Sequence, residues 1–281
     1  MLPASPAWSR LGEHLRETQI IGSIQSTLYW DQNTRMPSGG AAWRGEQLSL
    51  MATQLHARQS STQYADLVQA AREEWNQQTE TDDLGPRGRN LDLLEEDLRR
   101  QQSLDPALVS ALATAKASGY NLWQQARSAS DFSQFAPALQ RLIQLRQEQA
   151  RQLAEPRSCW ETLAQPFEPG LSLKRLQEVF APLREALPDL VAETASSPRS
   201  RTASWDLPEP AQQQLCDALL NSWGRNPAIT CVARSPHPFS ITLGPADYRI
   251  TTRVVQGQPL SCFLATAHEW GHSLYEQGLP D

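Results

Sequence analysis

Apolar residues recur at intervals of three and four along most of the chain, in runs cut by Gly, Pro and polar clusters. Trp8, Leu11, Leu15, Ile21, Ile24 and Leu28 trace one such stripe. Side chains spaced this way share one face of a helix. The spacing predicts a first amphipathic helix, closed by Tyr29-Trp30 and broken by Met36-Pro37-Ser38-Gly39-Gly40. A second helix is expected over about 41–58, with Trp43, Leu48, Met51 and Leu55 inside, and a third near 62–77. Thr79 to Arg89 is polar, contains Gly-Pro and reads as a loop. Helices follow at about 90–103, 106–128 and 132–154. The middle one opens on Ser103-x-Asp105-Pro106, a capping carboxylate before a proline at the first helical position. Gln165 to Gly170 reads as a turn before a helix at about 173–194. Ser196 to Pro208 is a Ser/Pro/Arg-rich exposed connection, and 209–224 is a further helix. No internal repeat is visible.

The period changes after that helix. Gly244-Pro245 is a turn signal, and Tyr248 to Val255 is rich in β-branched and aromatic residues, the composition of a strand. One short sheet is therefore expected near 239–256. Helical spacing then returns in Phe263, Leu264, Ala267, Gly271 and Leu274. Ser261 is placed to cap this helix, and Gly278 with Pro280 to stop it, giving a helix over about 261–277. Gly271 inside it costs about 1 kcal/mol against Ala, which suggests close approach of another backbone.

That helix carries His268-Glu269-Trp270-Gly271-His272, an HExxH motif. Residues four apart sit one turn apart on the same face, so the two imidazoles can point at one ion. Glu269 lies on the flank of that face, within reach of a water the ion polarises, and a carboxylate there can take the water's proton. A catalytic zinc site takes three protein ligands plus an open water position, and the motif supplies two. Glu276 continues the four-residue series, but it lies roughly 12 Å along the axis from His268 and cannot share the ion with both histidines. The third ligand is expected beyond Asp281 or from a distant fold partner.

Composition narrows the function. Twenty-five Lys and Arg stand against 31 Asp and Glu, a net charge of −6, which gives no electrostatic case for nucleic acid. No apolar run is long enough to span a membrane, and the N-terminus lacks the basic and apolar regions of a signal peptide. Cys159, Cys216, Cys231 and Cys262 have no close spacing and read as reduced thiols, so a cytoplasmic setting is expected. The nine tryptophans read as core fillers or interface anchors. Gln140 to Arg151 reads as a solvated helix face, with Leu142, Ile143 and Leu145 on its buried side. Taken alone, Asp247 and Arg249 are a local ion pair at i, i+2, and His237 before Pro238 is a turn residue.

Together these segments resemble a known family. His237-Pro238-Phe239, the D-x-R-x-T pattern at 247–251 and HEWGHSLYEQG at 268–278 are similar to successive signatures of the thermostable carboxypeptidases, the Taq-type or M32 metallocarboxypeptidases. Tyr29 to Pro37 resembles that family's N-terminal W-D-x-x-T-x-M-P segment, and Phe167-Glu168-Pro169-Gly170 a mid-chain stretch. The resemblance runs from about residue 10 to the end. It implies a mainly α fold: a multi-helix, gluzincin-like HExxH metallopeptidase with a short β-sheet beside the active-site helix. It implies His268 and His272 as metal ligands, Glu269 as general base, and a substrate groove lined by His237, Phe239, Asp247, Arg249 and Thr251. The implied cofactor is one divalent metal ion, zinc first, with cobalt or manganese also suited to two His and a carboxylate. The implied partners are a peptide substrate and a second copy in a homodimer.

Family members are about twice as long. Their third ligand is a Glu in a downstream H-E-S-Q-like motif, and a later arginine motif holds the substrate's terminal carboxylate. Neither motif occurs here. Residues 1–281 are thus expected to be the N-terminal part of a single helical metallocarboxypeptidase domain, cut just after the HExxH helix, with the C-terminal half missing. The expected function is release of C-terminal amino acids from peptides. Two alternatives stand beside it: another HExxH oligopeptidase or aminopeptidase, and a non-catalytic remnant acting only as a binding module.

Overall fold

The computed structural model describes residues 6–78, 85–153, 155–196 and 207–279. The chain runs α1 (Pro6–Thr34), α2 (Ala41–Gln59), α3 (Thr62–Gln78), α4 (Gly85–Gln102), α5 (Pro106–Ala129), α6 (Ala136–Leu153), α7 (Cys159–Ala164), α8 (Leu173–Ser196) and α9 (Glu209–Ser222). Then come β1 (Thr230–Arg234), β2 (Ser240–Gly244), β3 (Asp247–Thr252) and α10 (Pro259–Gln277). Among the described residues the architecture is mainly α with one three-stranded sheet, as the sequence led one to expect.

Local chemistry sets several boundaries. The Asp105 side chain accepts from Ala107 N at 2.7 Å and Pro106 opens α5, while Ser130 ends it in the left-handed region at φ 52°. Ser158 and Glu161 form a reciprocal capping box on α7, a helix the periodicity did not announce. α1 does not close at Tyr29-Trp30; it continues to Thr34. Arg44 holds this last turn by donating to Asp31 Oδ2 at 2.6 Å. Asn33 and Thr34 also bond back to the carbonyls of Tyr29 and Trp30, at 2.8 and 2.7 Å.

Gly85-Pro86, expected within a loop, instead opens α4, a position where proline loses nothing because the N–H there has no helical partner. The rest of that loop, residues 79–84, lies outside the described residues. α6 begins at Ala136 rather than 132, because Asp131 caps a short 3-10 turn over Phe132–Gln134 by accepting from Ser133 N at 3.0 Å. Of the connection expected over Ser196 to Pro208, residues 197–206 lie outside the described residues, as does the stop residue Pro280.

Among the described residues, three apolar clusters hold helices and sheet together. Leu11 of α1 packs with Tyr64, Val68 and Ala71 of α3 and with Leu91 and Leu98 of α4. Leu108 and Leu112 of α5 pack with Leu145 of α6. Leu220 of α9, Ile250 of β3 and Trp270 of α10 form the third. Ile143, expected on the buried side of α6, is 50% exposed. Trp30 and Trp270 fill cores as expected, whereas Trp43, Trp160 and Trp223 are exposed. Along α8, Phe180, Leu187, Leu190 and Val191 are exposed.

The sheet order is β1-β3-β2. β1 runs parallel to β3 with Val232 opposite Ile250, and β2 runs antiparallel to it with Ile241 opposite Arg249. β3 ends at Thr252, short of the expected Val255. β1 was not anticipated: Thr230–Arg234 is too short for its alternation to stand out. Among the described residues no helix is long and apolar enough to cross a membrane.

Candidate metal centre

α10 turns one side inward. Its buried residues are Cys262, Thr266, Glu269, Trp270 and Ser273, steps of three and four along one side. Leu264 and Leu274, two of the residues that carry the helical spacing, are 62% and 40% exposed. Gly271 is exposed as well, and a β-carbon built there would meet nothing within 4 Å, so no backbone presses on it.

The reason lies in Trp270. Its indole is fully buried against Leu220 and Ile250, and burying so large a side chain outweighs two leucines at the rim. The indole N–H donates to Trp223 O at 3.4 Å. One turn earlier, Thr266 Oγ1 bonds Thr252 Oγ1 and Cys262 O, both at 2.9 Å. The same packing brings the Cys216 and Cys262 sulfurs to 3.5 Å, both buried, though 46 residues separate them in sequence. Proline occupies the first turn of α10 and Gln258 is its N-cap residue, so Ser261 is not the cap.

With that face inward, His268 and His272 are left on the exposed side. Their Nε2 atoms are 3.1 Å apart, and the rings stand edge to face, 4.7 Å between centroids and 87° between planes. Two nitrogens each about 2.1 Å from one tetrahedral ion lie roughly 3.4 Å apart. The pair is thus close to the spacing of two ligands on one ion and fits the metal the motif implies. Glu269 follows His268 directly, is 8% exposed, and makes no hydrogen bond or ion pair among the described residues. No group of three or more His, Cys, Asp or Glu able to hold a metal occurs among the described residues.

The other sequence-predicted residues separate into two groups. Phe239 packs edge-on against Tyr29 and Trp30, at 5.5 and 5.6 Å between ring centroids, and the Arg249 guanidinium lies 5.5 Å from the Trp30 ring centroid. The N-terminal Tyr-Trp segment and the HPF and D-x-R-x-T segments therefore meet, with α1 lying against β2. Asp247 accepts from Arg249 twice, both bonds at 2.7 Å, and this pairing holds the Arg249 pKa above its ordinary value. Thr251 is fully buried; its Oγ1 accepts from Phe239 N at 2.9 Å and lies 2.7 Å from Ser235 Oγ. It fixes the approach to β2 rather than presenting a side chain to a groove.

His237 is exposed and lines a hollow of about 260 Å3 with Arg127, Arg253, Ser261 and Ala265. Ser261 and Ala265 precede His268 and His272 by helical steps, so the hollow runs along the histidine face of α10. The sequence did not single out Arg127 or Arg253. Arg253 stands two residues beyond Thr251 and the alternation could have flagged it. Arg127, at the end of a distant helix, carries no local signal.

A helical fold with a small sheet under an HExxH helix, and two imidazoles converging on one point, defines a class: a metallopeptidase built on helices. Residues 10–281 match the family described as Carboxypeptidase Taq (M32) metallopeptidase, and the chain belongs to that family. It is 31% identical to Thermostable carboxypeptidase 1 of Thermus thermophilus, a match covering 98% of this chain and 56% of that protein. It is 25% identical to Carboxypeptidase 1 of Bacillus subtilis, over 95% of this chain and 53% of that one. The chain spans about half the length of the curated relatives it matches. Its fold is similar to the M32 carboxypeptidase of Deinococcus radiodurans R1, with a TM-score of 0.79 and 29% identity over 98% of this chain and 55% of the other. The structure titled BsuCP shares the fold at a TM-score of 0.91 and 24% identity, covering 99% of this chain and 55% of the other.

Proposed function

We propose that this chain carries the two-histidine part of a metallocarboxypeptidase active site, which releases C-terminal amino acids from peptides. The observation that carries the reading is the pair of Nε2 atoms 3.1 Å apart on the open face of α10, beside a buried and unpartnered Glu269. His268 and His272 would hold one divalent ion, for which zinc suits two imidazoles, and the third ligand would come from outside the described residues. A bound ion supplies a Lewis acid that makes water a stronger acid. Glu269 accepts the proton of the attacking water and returns it to the leaving amine. The His237 hollow, continuous with the histidine face, is where the substrate chain would lie. Phe239, which follows Pro238 of that lining, packs on Trp30 together with Arg249.

The relatives are about twice as long, so the test joins this chain to the remainder of a full-length relative. The expected outcome is release of the terminal residue from a peptide with a free C-terminus and a blocked N-terminus. The peptide blocked at its C-terminus stays intact, and Glu269→Gln reduces turnover by several orders of magnitude. Cleavage of the C-terminally blocked peptide instead would favour an aminopeptidase or oligopeptidase, and cleavage unaffected by Glu269→Gln would remove the proposed base.

A further inference from the structure

Of the four cysteines, Cys159 and Cys231 are exposed, and Cys216 and Cys262 are buried. The buried two sit on facing helices, Cys216 in α9 and Cys262 in the first turn of α10. Their sulfurs are 3.5 Å apart, in van der Waals contact. An approach of about 1.5 Å separates them from a disulfide. Threonine hydroxyls crowd the pair. Thr252 Oγ1 lies 3.4 Å from Cys262 Sγ, and Thr266 Oγ1 donates to Thr252 Oγ1 at 2.9 Å. Burial pushes the Cys216 thiol up to about 11, and the Thr266 hydroxyl opposes that rise. Two thiols in contact have a reaction that a solitary one lacks. Once one sulfur is oxidised, the other captures it before a second oxidant arrives.

We propose that Cys216 and Cys262 are a reversible redox lock, which a small hydroperoxide closes into a disulfide that ties α10, the helix carrying the histidine pair, to α9. The Cys216 thiol gives up its proton and its sulfur attacks one oxygen of hydrogen peroxide. The O–O bond breaks, and the departing hydroxide takes the proton and leaves as water. The Cys262 thiol then gives up its proton and attacks the Cys216 sulfenic sulfur. The S–O bond breaks, and the hydroxide leaves as a second water. Two thiols have lost two electrons, and one peroxide has been reduced to two waters. A dithiol reopens the lock by exchange and is itself oxidised to a disulfide.

The exposures of Cys216 and Cys262 are 1% and 0%, so the oxidant reaches them only when α9 parts from α10. That favours a small peroxide over a bulky reagent such as oxidised glutathione. Reclosure returns the second sulfur to the first, and the bond then prevents further parting. Neither a metal nor a peptide enters these steps, so the lock stands or falls separately from the function proposed above.

The test uses the 281-residue chain carrying Cys159→Ser and Cys231→Ser, which leaves only the buried pair. Hydrogen peroxide, in urea below the unfolding transition, should lower the intact mass by two hydrogens. Digestion should give a Cys216–Cys262 linked peptide that dithiothreitol separates. The linked chain should unfold at a urea midpoint about 1 M higher than the reduced one. With Cys262→Ala added, Cys216 should stop at a sulfenic acid that dimedone traps, and the midpoint should not rise on oxidation. The proposal is overturned if peroxide adds oxygen to the pair without linking it, or leaves both thiols intact under conditions that oxidise the unfolded chain. It is overturned equally if oxidised glutathione links the pair as fast as peroxide, or if the linked chain is no more resistant to urea.

Discussion

The role proposed for His268 and His272, holding one ion between them, is one that neither side chain could fill alone. A single imidazole on an exposed helix face is a weak ligand, while two converging nitrogens cooperate on one ion. His268→Ala and His272→Ala should each abolish zinc binding measured by competition with a chromogenic chelator. Tight stoichiometric binding that survives both substitutions would sink the assignment. This pair was legible in the sequence because helix geometry fixes its spacing.

The Cys216–Cys262 contact was not legible, because it arises only when α9 packs on α10. Burial pushes the Cys216 thiol up to about 11, and the Cys262 sulfur beside it pushes the same way. A folded pKa above the unfolded one means the neutral thiol supports the fold fully below about pH 9. That support is lost as pH rises through about 11. Urea midpoints should therefore fall over that range, and less steeply in Cys216→Ala. An identical slope in the variant would show that the thiol does not matter. Tyr64 and Tyr120, both pushed up to about 12 chiefly by burial, extend the loss at higher pH.

Among the elements, α10 decides whether the histidines face solvent at all. Its orientation rests on Trp270 in the cluster with Leu220 and Ile250. Trp270→Ala should destabilise the chain by about 3–5 kcal/mol in denaturant titration, as large-to-small changes in packed cores do. A cost below about 1 kcal/mol would mean that some other contact seats the helix. The sequence located α10 to within two residues at its start but did not reveal its inner face. Leu264 and Leu274 are the more obvious apolar positions, and only tertiary packing reveals that one tryptophan outranks them. β1 was missed for a related reason. A five-residue strand paired in parallel has no hairpin turn to announce it, and its identity comes from β3, its neighbour in space. The local ion pair of Asp247 with Arg249, in contrast, was readable from i, i+2 spacing and is present.

For the molecule as a whole, the long α1 joins what would otherwise be separate regions. Leu11 near its start lies in the cluster with α3 and α4, and Trp30 near its end packs on Phe239 beside the sheet. The family motifs fall at both ends of this chain, which is why the fold was recognisable from scattered short segments.

The buried, unpartnered Glu269 has a further consequence, for heat resistance. Glu269 lies on the inward side of α10 at 8% exposure, where a hydrocarbon of similar size would bury apolar area that the carboxylate does not. Glu269→Leu should accordingly melt at a higher temperature than the parent, by the equivalent of about 1 kcal/mol. A lower melting point would mean that the carboxylate supports the fold after all. If the expected rise is seen, the glutamate costs tolerance of heat at one position, which is what a side chain placed for the proton transfer proposed above would do.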